Sequence, residues 1–147
     1  MVRLQVLLLC LFFAGCNGRQ SSEAAKVHGY EMQDKCAATA KQWLKNEWGS
    51  STGNGLELKD FTNHYNKTEN KCYGVIRARV TVGQNWTEVT DLYDLQENTT
   101  IAELGMTHMH DFSTGTYKDT AEHCIVGNKT CESRDEFDAL LKPYMSN

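Results

Sequence analysis

The stretch Lys71–Val82 alternates between two sets of side chains over its whole length. The even positions hold cysteine, glycine and aliphatic residues, and the odd positions after Lys71 are Tyr73, Val75, two arginines and Thr81. A period of two residues is typical of a half-buried β-strand. Because the strand carries Cys72 and is followed by a Gly-Gln-Asn turn, we expect it to form a disulfide and to turn into a hairpin.

The same pattern predicts three further strands, at residues 56–65, 86–95 and 100–106, with polar turns between consecutive strands. Short turns favour antiparallel neighbours, so the prediction is a four-stranded antiparallel meander sheet. Residues 108–120 are rich in threonine and aspartate and lack a period, which predicts a loop.

Helical spacing occurs at both ends of the predicted sheet. In residues 31–48 the apolar positions recur at intervals of three and four, and Gly49 follows. Near the C-terminus, Ser133 and Glu136 form a capping box, and apolar residues follow on one face until Pro143 limits the helix. An N-terminal and a C-terminal helix with this sheet predict an α+β domain of two layers, the C-terminal helix closing over one face.

Four cysteines fall within the predicted domain. In an exported chain this number suggests two disulfides, for which three pairings are possible. We favour Cys36–Cys72, which joins the first helix to the strand Lys71–Val82, and Cys124–Cys131, which closes a local loop. A zinc site is the alternative, but the chain has no C-x-x-C pair.

The N-terminus has the features of an export signal. Residues 1–15 combine a positive start at Arg3, a short apolar run and small residues directly before Cys16. A membrane span would need about 20 apolar residues. The stretch Phe13-Ala14-Gly15-Cys16 resembles the lipobox of bacterial lipoproteins. This resemblance implies that Cys16 receives a diacylglyceryl group and becomes the acylated first residue. An ordinary cleavable signal with an incidental cysteine is the alternative.

The predicted organisation is therefore a signal peptide at 1–15, a lipid-attached flexible tether at 16–29 and a single α+β domain at 30–147. Residues 17–29 are polar or small and show no periodicity. Cleavage would leave 132 of the 147 residues, enough for one domain. Loss of Arg3 would take the formal net charge from −4 to −5, which disfavours nucleic acid as a partner.

The nearest approach to a chemical site is the pair His108 and His110. Two histidines at i and i+2 lie on one face of a strand and could bind a metal with a third ligand such as His64 or Asp111. Solvent-exposed histidine is the simpler interpretation, so we predict no metal and no cofactor. The chain has neither a nucleophile elbow nor a phosphate-binding glycine loop, and no catalytic residue is indicated.

Four Asn-x-Ser/Thr sequons begin at Asn66, Asn85, Asn98 and Asn128, all in or beside predicted turns. Glycans at surface turns would mark a secreted eukaryotic protein, which is the alternative localisation. Asparagine and threonine are also favoured in turns for conformational reasons alone.

Several short segments resemble those of small bacterial exported proteins and lipoproteins of unknown function. The segments are Asn63-His64-Tyr65-Asn66, Asn70-Lys71-Cys72-Tyr73, Leu92-Tyr93-Asp94 with Glu97-Asn98, Glu136-Phe137-Asp138-Ala139-Leu140 and Lys142-Pro143-Tyr144-Met145. The resemblance implies a location in the bacterial cell envelope and carries no catalytic residue.

These observations favour a non-catalytic envelope lipoprotein, held to the membrane by its lipid, whose domain binds an envelope protein or a small ligand. The predicted contact surface is the exposed face of the sheet, with Tyr73, Val75, Arg77 and Arg79, because aromatic and arginine side chains are enriched at interfaces. Solvation of an outer face by the two arginines is the simpler alternative. The other hypotheses are a metal-dependent enzyme using the histidine pair, and a secreted glycosylated binding or inhibitor protein.

Overall fold

The computed structural model describes residues 17–49 and 55–146. The predicted signal peptide and Cys16 lie outside these residues. The described residues form two helices and one six-stranded antiparallel sheet, which confirms the α+β class. The elements are α1 (Asn17–Trp48), β1 (Leu56–Asn66), β2 (Lys71–Val82), β3 (Asn85–Asp94), β4 (Thr99–Asp111), β5 (Thr116–Val126), β6 (Lys129–Thr130) and α2 (Arg134–Met145).

The chain divides into two compact units, Met1–Met32 and Gln33–Asn147. Within the first unit the described residues belong to the N-terminal part of α1. The second unit contains the rest of α1, the whole sheet and α2, and it holds all the contacts discussed below. Within the described residues, neither helix combines the length and the apolar character that crossing a membrane requires.

Helix α1 begins at Asn17, whereas the apolar spacing predicts a start at residue 31. Residues 17–29, predicted as an irregular tether, are therefore helical. The segment lacks proline and contains alanine, glutamate and lysine, which are good helix formers. Such a polar helix has no apolar stripe and therefore gives no periodic signal. Attachment of a lipid at Cys16 remains a prediction.

The strand order β1-β2-β3-β4-β5-β6 confirms the meander, but the predicted number of four strands is wrong. Strand β4 continues to Asp111 and β5 begins at Thr116, so the two strands together occupy most of the segment predicted as a loop. The first five residues of β5 are exposed on both faces, so they show no alternation of apolar and polar positions. Cross-strand pairing with β4 holds this segment in the sheet.

Residues 33–48 of α1 and helix α2 pack on opposite faces of the sheet, so the predicted arrangement of two layers is also wrong. Residues 33–48 of α1 cover the face that carries Cys72, to which Cys36 is bonded. On that face the Trp43 ring lies 4.7 Å from the Tyr93 ring, centroid to centroid. Helix α2 covers the other face, where Phe137 packs in the main hydrophobic core. The sheet is therefore the middle of three layers.

Strand β2 has the bounds that the alternation predicts and is buried on both faces over residues 72–76. Tyr73 is only 2% exposed, and Val75 is buried beside it in the core under α2. The prediction that these two residues lie on an exposed face is therefore wrong. Alternation identified the two faces of the strand, but it did not show that a second helix covers the other one.

Both predicted disulfides are present, Cys36–Cys72 and Cys124–Cys131. The N-cap part of the predicted capping box is confirmed, because the Ser133 hydroxyl accepts a hydrogen bond from the Glu136 backbone N–H at 3.2 Å. The Glu136 carboxylate in turn accepts one from the backbone N–H of Glu132 at 2.9 Å. These bonds fix the start of α2 directly after the second disulfide.

Asn66 joins the β1–β2 turn to the C-terminal end of α2. Its side-chain amide donates to the carbonyl oxygens of Pro143, at 2.7 Å, and Tyr144, at 3.3 Å. Its side-chain oxygen accepts from the backbone N–H groups of Thr68 and Glu69, both at 3.0 Å. Asn66 is 1% exposed, so its sequon is not accessible to a glycosylating enzyme in the folded protein.

Candidate functional site

The exposed large hydrophobic side chains of the second unit, among the described residues, all lie at one end of the sheet. This end carries the β2–β3 and β4–β5 turns. Phe112, in the β4–β5 turn, is 78% exposed, and Tyr117 is 47% exposed. We call this region the distal surface and define it by eight residues. Arg79, Trp86, His108, His110 and Tyr117 lie on one face of the sheet with Phe112 beside them, and Val82 and Met109 lie at the same end on the other face.

Two tight turns and the strand register bring these residues together. Gly83 and Gly115 have φ values of 63° and 69°, which glycine adopts without strain. Both turns fall at the same end because alternate turns of a meander do so. The register places Trp86 opposite His108 and His110 opposite Tyr117, so these side chains share one face of the sheet.

The rings on this face form a continuous row across three strands. Trp86 stacks on His108, with centroids 4.9 Å apart and planes inclined by 17°. Tyr117 lies 4.5 Å from Trp86 and 5.1 Å from His110. The guanidinium carbon of Arg79 lies 5.3 Å from the Trp86 ring centroid, within the range of a cation–π contact.

Charged and polar side chains contact the row from the neighbouring strands and from α2. Arg79 donates to a Glu88 carboxylate oxygen at 2.9 Å, and this hydrogen bond lowers the pKa of Glu88. Arg134, at the start of α2, lies 3.6 Å from the other Glu88 oxygen. His108 Nδ1 lies 2.7 Å from an Asp119 carboxylate oxygen. The row is therefore supported by β2, β3, β5 and α2 together.

Four nitrogen atoms of the distal surface are buried without a hydrogen-bond partner among the described residues. They belong to Arg79 (Nε), Trp86 (Nε1), His108 (Nε2) and His110 (Nδ1). Leaving such a group unpaired costs about 1–3 kcal/mol. Natural sequences concentrate departures of this kind at functional sites. Together with the exposed side chains, these unpaired groups make the distal surface a candidate binding site.

The structure brings His108 and His110 onto one face, as their spacing predicts, but it does not supply the suggested third ligand. His64 lies on β1 opposite Tyr73, separated from β4 by two strands. Asp111 accepts hydrogen bonds from the backbone N–H and hydroxyl of Ser113, at 2.8 and 2.6 Å, which lowers its pKa. Across residues 17–49 and 55–146, no group of three or more His, Cys, Asp or Glu side chains could hold a metal ion.

The four residues of the predicted contact surface do not form one exposed face, because α2 covers part of it. Tyr73 and Val75 are buried beneath the helix, whereas Arg77 remains half exposed, 3.9 Å from Asp60. Arg79 alone belongs to the distal surface. Sequence reasoning missed the aromatic residues of this surface because their proximity depends on β5. One feature of the sequence could have indicated this surface: a phenylalanine, Phe112, lies within a segment rich in serine, threonine and glycine.

On the opposite face, Asp91 and Glu103 are direct cross-strand neighbours. Burial raises the pKa of Asp91 to about 6, opposed by a hydrogen bond that the Tyr93 hydroxyl donates at 3.2 Å. The negative charge of Glu103 raises this pKa further, and His123, which lies 3.2 Å from Glu103, lowers it.

We expect Asp91→Asn to stabilise the protein at pH 7. Because the Asp91 pKa is about 6 in the folded state and about 3.8 when unperturbed, the folded state binds the proton more tightly. The carboxylate therefore destabilises the fold increasingly from pH 4 to pH 6, and fully above that range. Urea unfolding of the wild type and the variant across this range should show that the variant has the higher free energy of unfolding, by a difference that grows as the pH rises. A gain that is independent of pH would contradict this account.

Comparison with known proteins adds no relative: no protein-family model, no curated protein and no solved structure matches this chain. The functional interpretation therefore depends on the residues and geometry of the chain itself.

Proposed function

We propose that the protein is a non-catalytic binding module of the bacterial cell envelope. In this proposal a lipid on Cys16 holds it at the membrane, and the distal surface contacts a protein partner. The partner is an envelope protein because lipidation and export would confine the domain to that compartment. Its two disulfides suit an oxidising compartment such as the periplasm or the cell surface.

The observation that carries this proposal is the concentration of exposed apolar side chains on the distal surface. Exposed apolar patches rimmed by polar groups mark interaction sites in soluble domains. Tryptophan, tyrosine, phenylalanine and arginine are enriched at protein interfaces, and all four occur together in the ring row of the distal surface and beside it, as Trp86, Tyr117, Phe112 and Arg79. Stacked rings also lose little conformational freedom on binding, because their neighbours already hold them in place.

The location rests on the export signal at residues 1–15 and on the resemblance of Phe13-Ala14-Gly15-Cys16 to a lipobox. The resemblance of other segments to small bacterial exported proteins supports the same location. A secreted glycoprotein is the competing proposal. It is weakened by the burial of Asn66, which leaves three exposed sequon asparagines, Asn85, Asn98 and Asn128.

The mass of the membrane-extracted protein tests the location. We expect residues 16–147 plus acyl chains, with the acyl mass absent from Cys16→Ala, because the thiol of Cys16 is the attachment point. Reduction of two disulfides should add about four daltons. A mass without acyl chains, or one increased by glycans, would contradict the envelope lipoprotein.

The double variant Phe112→Ser, Tyr117→Ser tests the contact surface. Extraction in a mild detergent followed by size-exclusion chromatography should give a complex for the wild type and the free protein for the variant. Loss of interface anchors typically costs 2 kcal/mol or more each, about a thirtyfold weaker affinity. The double variant Glu122→Ser, Lys129→Ser is the control, because both residues are exposed and lie outside the distal surface. Equal elution of wild type and both variants would contradict the proposal.

A further inference from the structure

A cleft of about 260 Å³ opens between α2 and strands β1 and β2, away from the distal surface. An engineered apolar cavity of about 150 Å³ accommodates benzene, so this volume suits a ligand of about ten non-hydrogen atoms. The lining residues are Thr62, Val75, Arg77, Asp138, Leu141, Lys142, Met145 and Ser146.

The floor of the cleft is apolar. Val75 comes from β2 and Leu141 from α2, and both belong to the hydrophobic core. Met145 packs against the same core and has a flexible, polarisable side chain that adapts to different shapes. A branched or aromatic group of modest size would therefore bury its surface against these three residues.

The rim carries charges of both signs, two of which have no ion-pair partner among the described residues. Asp138 and Lys142 lie one helical turn apart, a spacing that normally permits an ion pair, yet among the described residues neither forms a salt bridge. Arg77 has only the 3.9 Å contact with Asp60, at the outer limit of an ion pair. An anion and two cations thus border one apolar floor.

We infer that this cleft binds a free α-amino acid with an apolar side chain. The side chain would lie on Val75, Leu141 and Met145. The carboxylate would pair with Arg77 and Lys142, and the ammonium group with Asp138. Such a zwitterion complements both signs of charge on the rim, whereas a simple carboxylate or amine complements one sign only. The inference is independent of the proposed function, since it uses no residue of the distal surface.

Calorimetry with leucine and two analogues tests the inference. The analogues are 4-methylpentanoate, which lacks the ammonium group, and 3-methylbutan-1-amine, which lacks the carboxylate. We expect leucine to bind at least about tenfold more tightly than either analogue, the equivalent of one charge-assisted contact. Asp138→Asn should weaken leucine but not 4-methylpentanoate, and Arg77→Gln should weaken both. Asp135→Asn, an exposed residue of α2 outside the cleft, is the matched control and should leave binding unchanged.

Methyl NMR spectra show whether leucine binds in this cleft. Saturating leucine should shift the methyl signals of Val75, Leu141 and Met145, and the double variant of Phe112 and Tyr117 should show the same shifts. Equal affinity for leucine and both analogues would overturn the inference, and so would leucine binding that leaves these methyl signals unmoved. Failure of the distal-surface proposal would leave these results unchanged, so the two ideas are separately testable.

Discussion

Replacing Cys36 and Cys72 together with alanine should lower the free energy of unfolding by about 4 kcal/mol. The two cysteines are 36 residues apart in the chain, and the cross-link removes the entropy of closing that loop from the unfolded state. The bond also ties residues 33–48 of α1 to the central strand β2. Among the described residues, the non-covalent anchors of this part of α1 include Trp43, whose indole N–H donates to the Asn98 side-chain oxygen at 2.5 Å.

The second disulfide is the internal control for this prediction. Cys124 and Cys131 are only 7 residues apart, so alanine at both positions should cost about 2 kcal/mol. Urea unfolding followed by circular dichroism measures both losses under the same conditions. A smaller loss from the Cys36–Cys72 variant than from the Cys124–Cys131 variant would contradict the assignment of the first bond as the main covalent constraint.

Asn66→Ala should destabilise the protein by about 3 kcal/mol. The substitution leaves two backbone N–H groups of the β1–β2 turn and two carbonyl groups at the end of α2 without their side-chain partner. Each unpaired group costs about 1–3 kcal/mol when fully buried, and less where water reaches it. Asn128→Ala is the matched control, since Asn128 also begins a sequon but is exposed, and it should change stability by less than about 0.5 kcal/mol.

Asn66→Asp separates the roles of the two ends of the side chain. The carboxylate keeps the acceptor for Thr68 and Glu69 but faces the carbonyl oxygens of Pro143 and Tyr144, at the negative end of the α2 dipole. Only the protonated form has a donor, so folding raises the pKa of the new carboxyl group. The deficit relative to wild type should therefore be largest at pH 7 and shrink as the pH falls towards 4. A deficit that grows on acidification would contradict the donor role of the amide.

The sequence predicts the parts of this fold that depend on local pattern. The bounds of Lys71–Val82 follow from strict alternation, and the start of α2 follows from the capping box at Ser133 and Glu136. The disulfide Cys36–Cys72 follows from cysteines placed on a predicted helix and a predicted strand. In each case the residues that form the sequence pattern also form the structural feature that the pattern predicts.

The parts that failed depend on contacts between distant segments. The exposed start of β5 lacks an apolar face, so only its partner β4 identifies it as a strand. The alternation predicts Tyr73 to be a surface residue, but α2 covers it in the fold. In the sequence, Phe112 and Tyr117 stand among threonine and glycine residues and show no pattern that indicates a site. They become a candidate site once the register brings them beside Trp86 and His110.

Site-specific photo-cross-linking in growing cells tests most directly the claim that the distal surface binds a protein. A photoreactive phenylalanine analogue replaces Phe112 in one strain, Tyr117 in a second and the exposed Lys129, outside the distal surface, in a third. We predict one adduct of the same mass at positions 112 and 117, in the membrane fraction, and none at position 129. The absence of an adduct at 112 and 117, or the same adduct at 129, would contradict the claim.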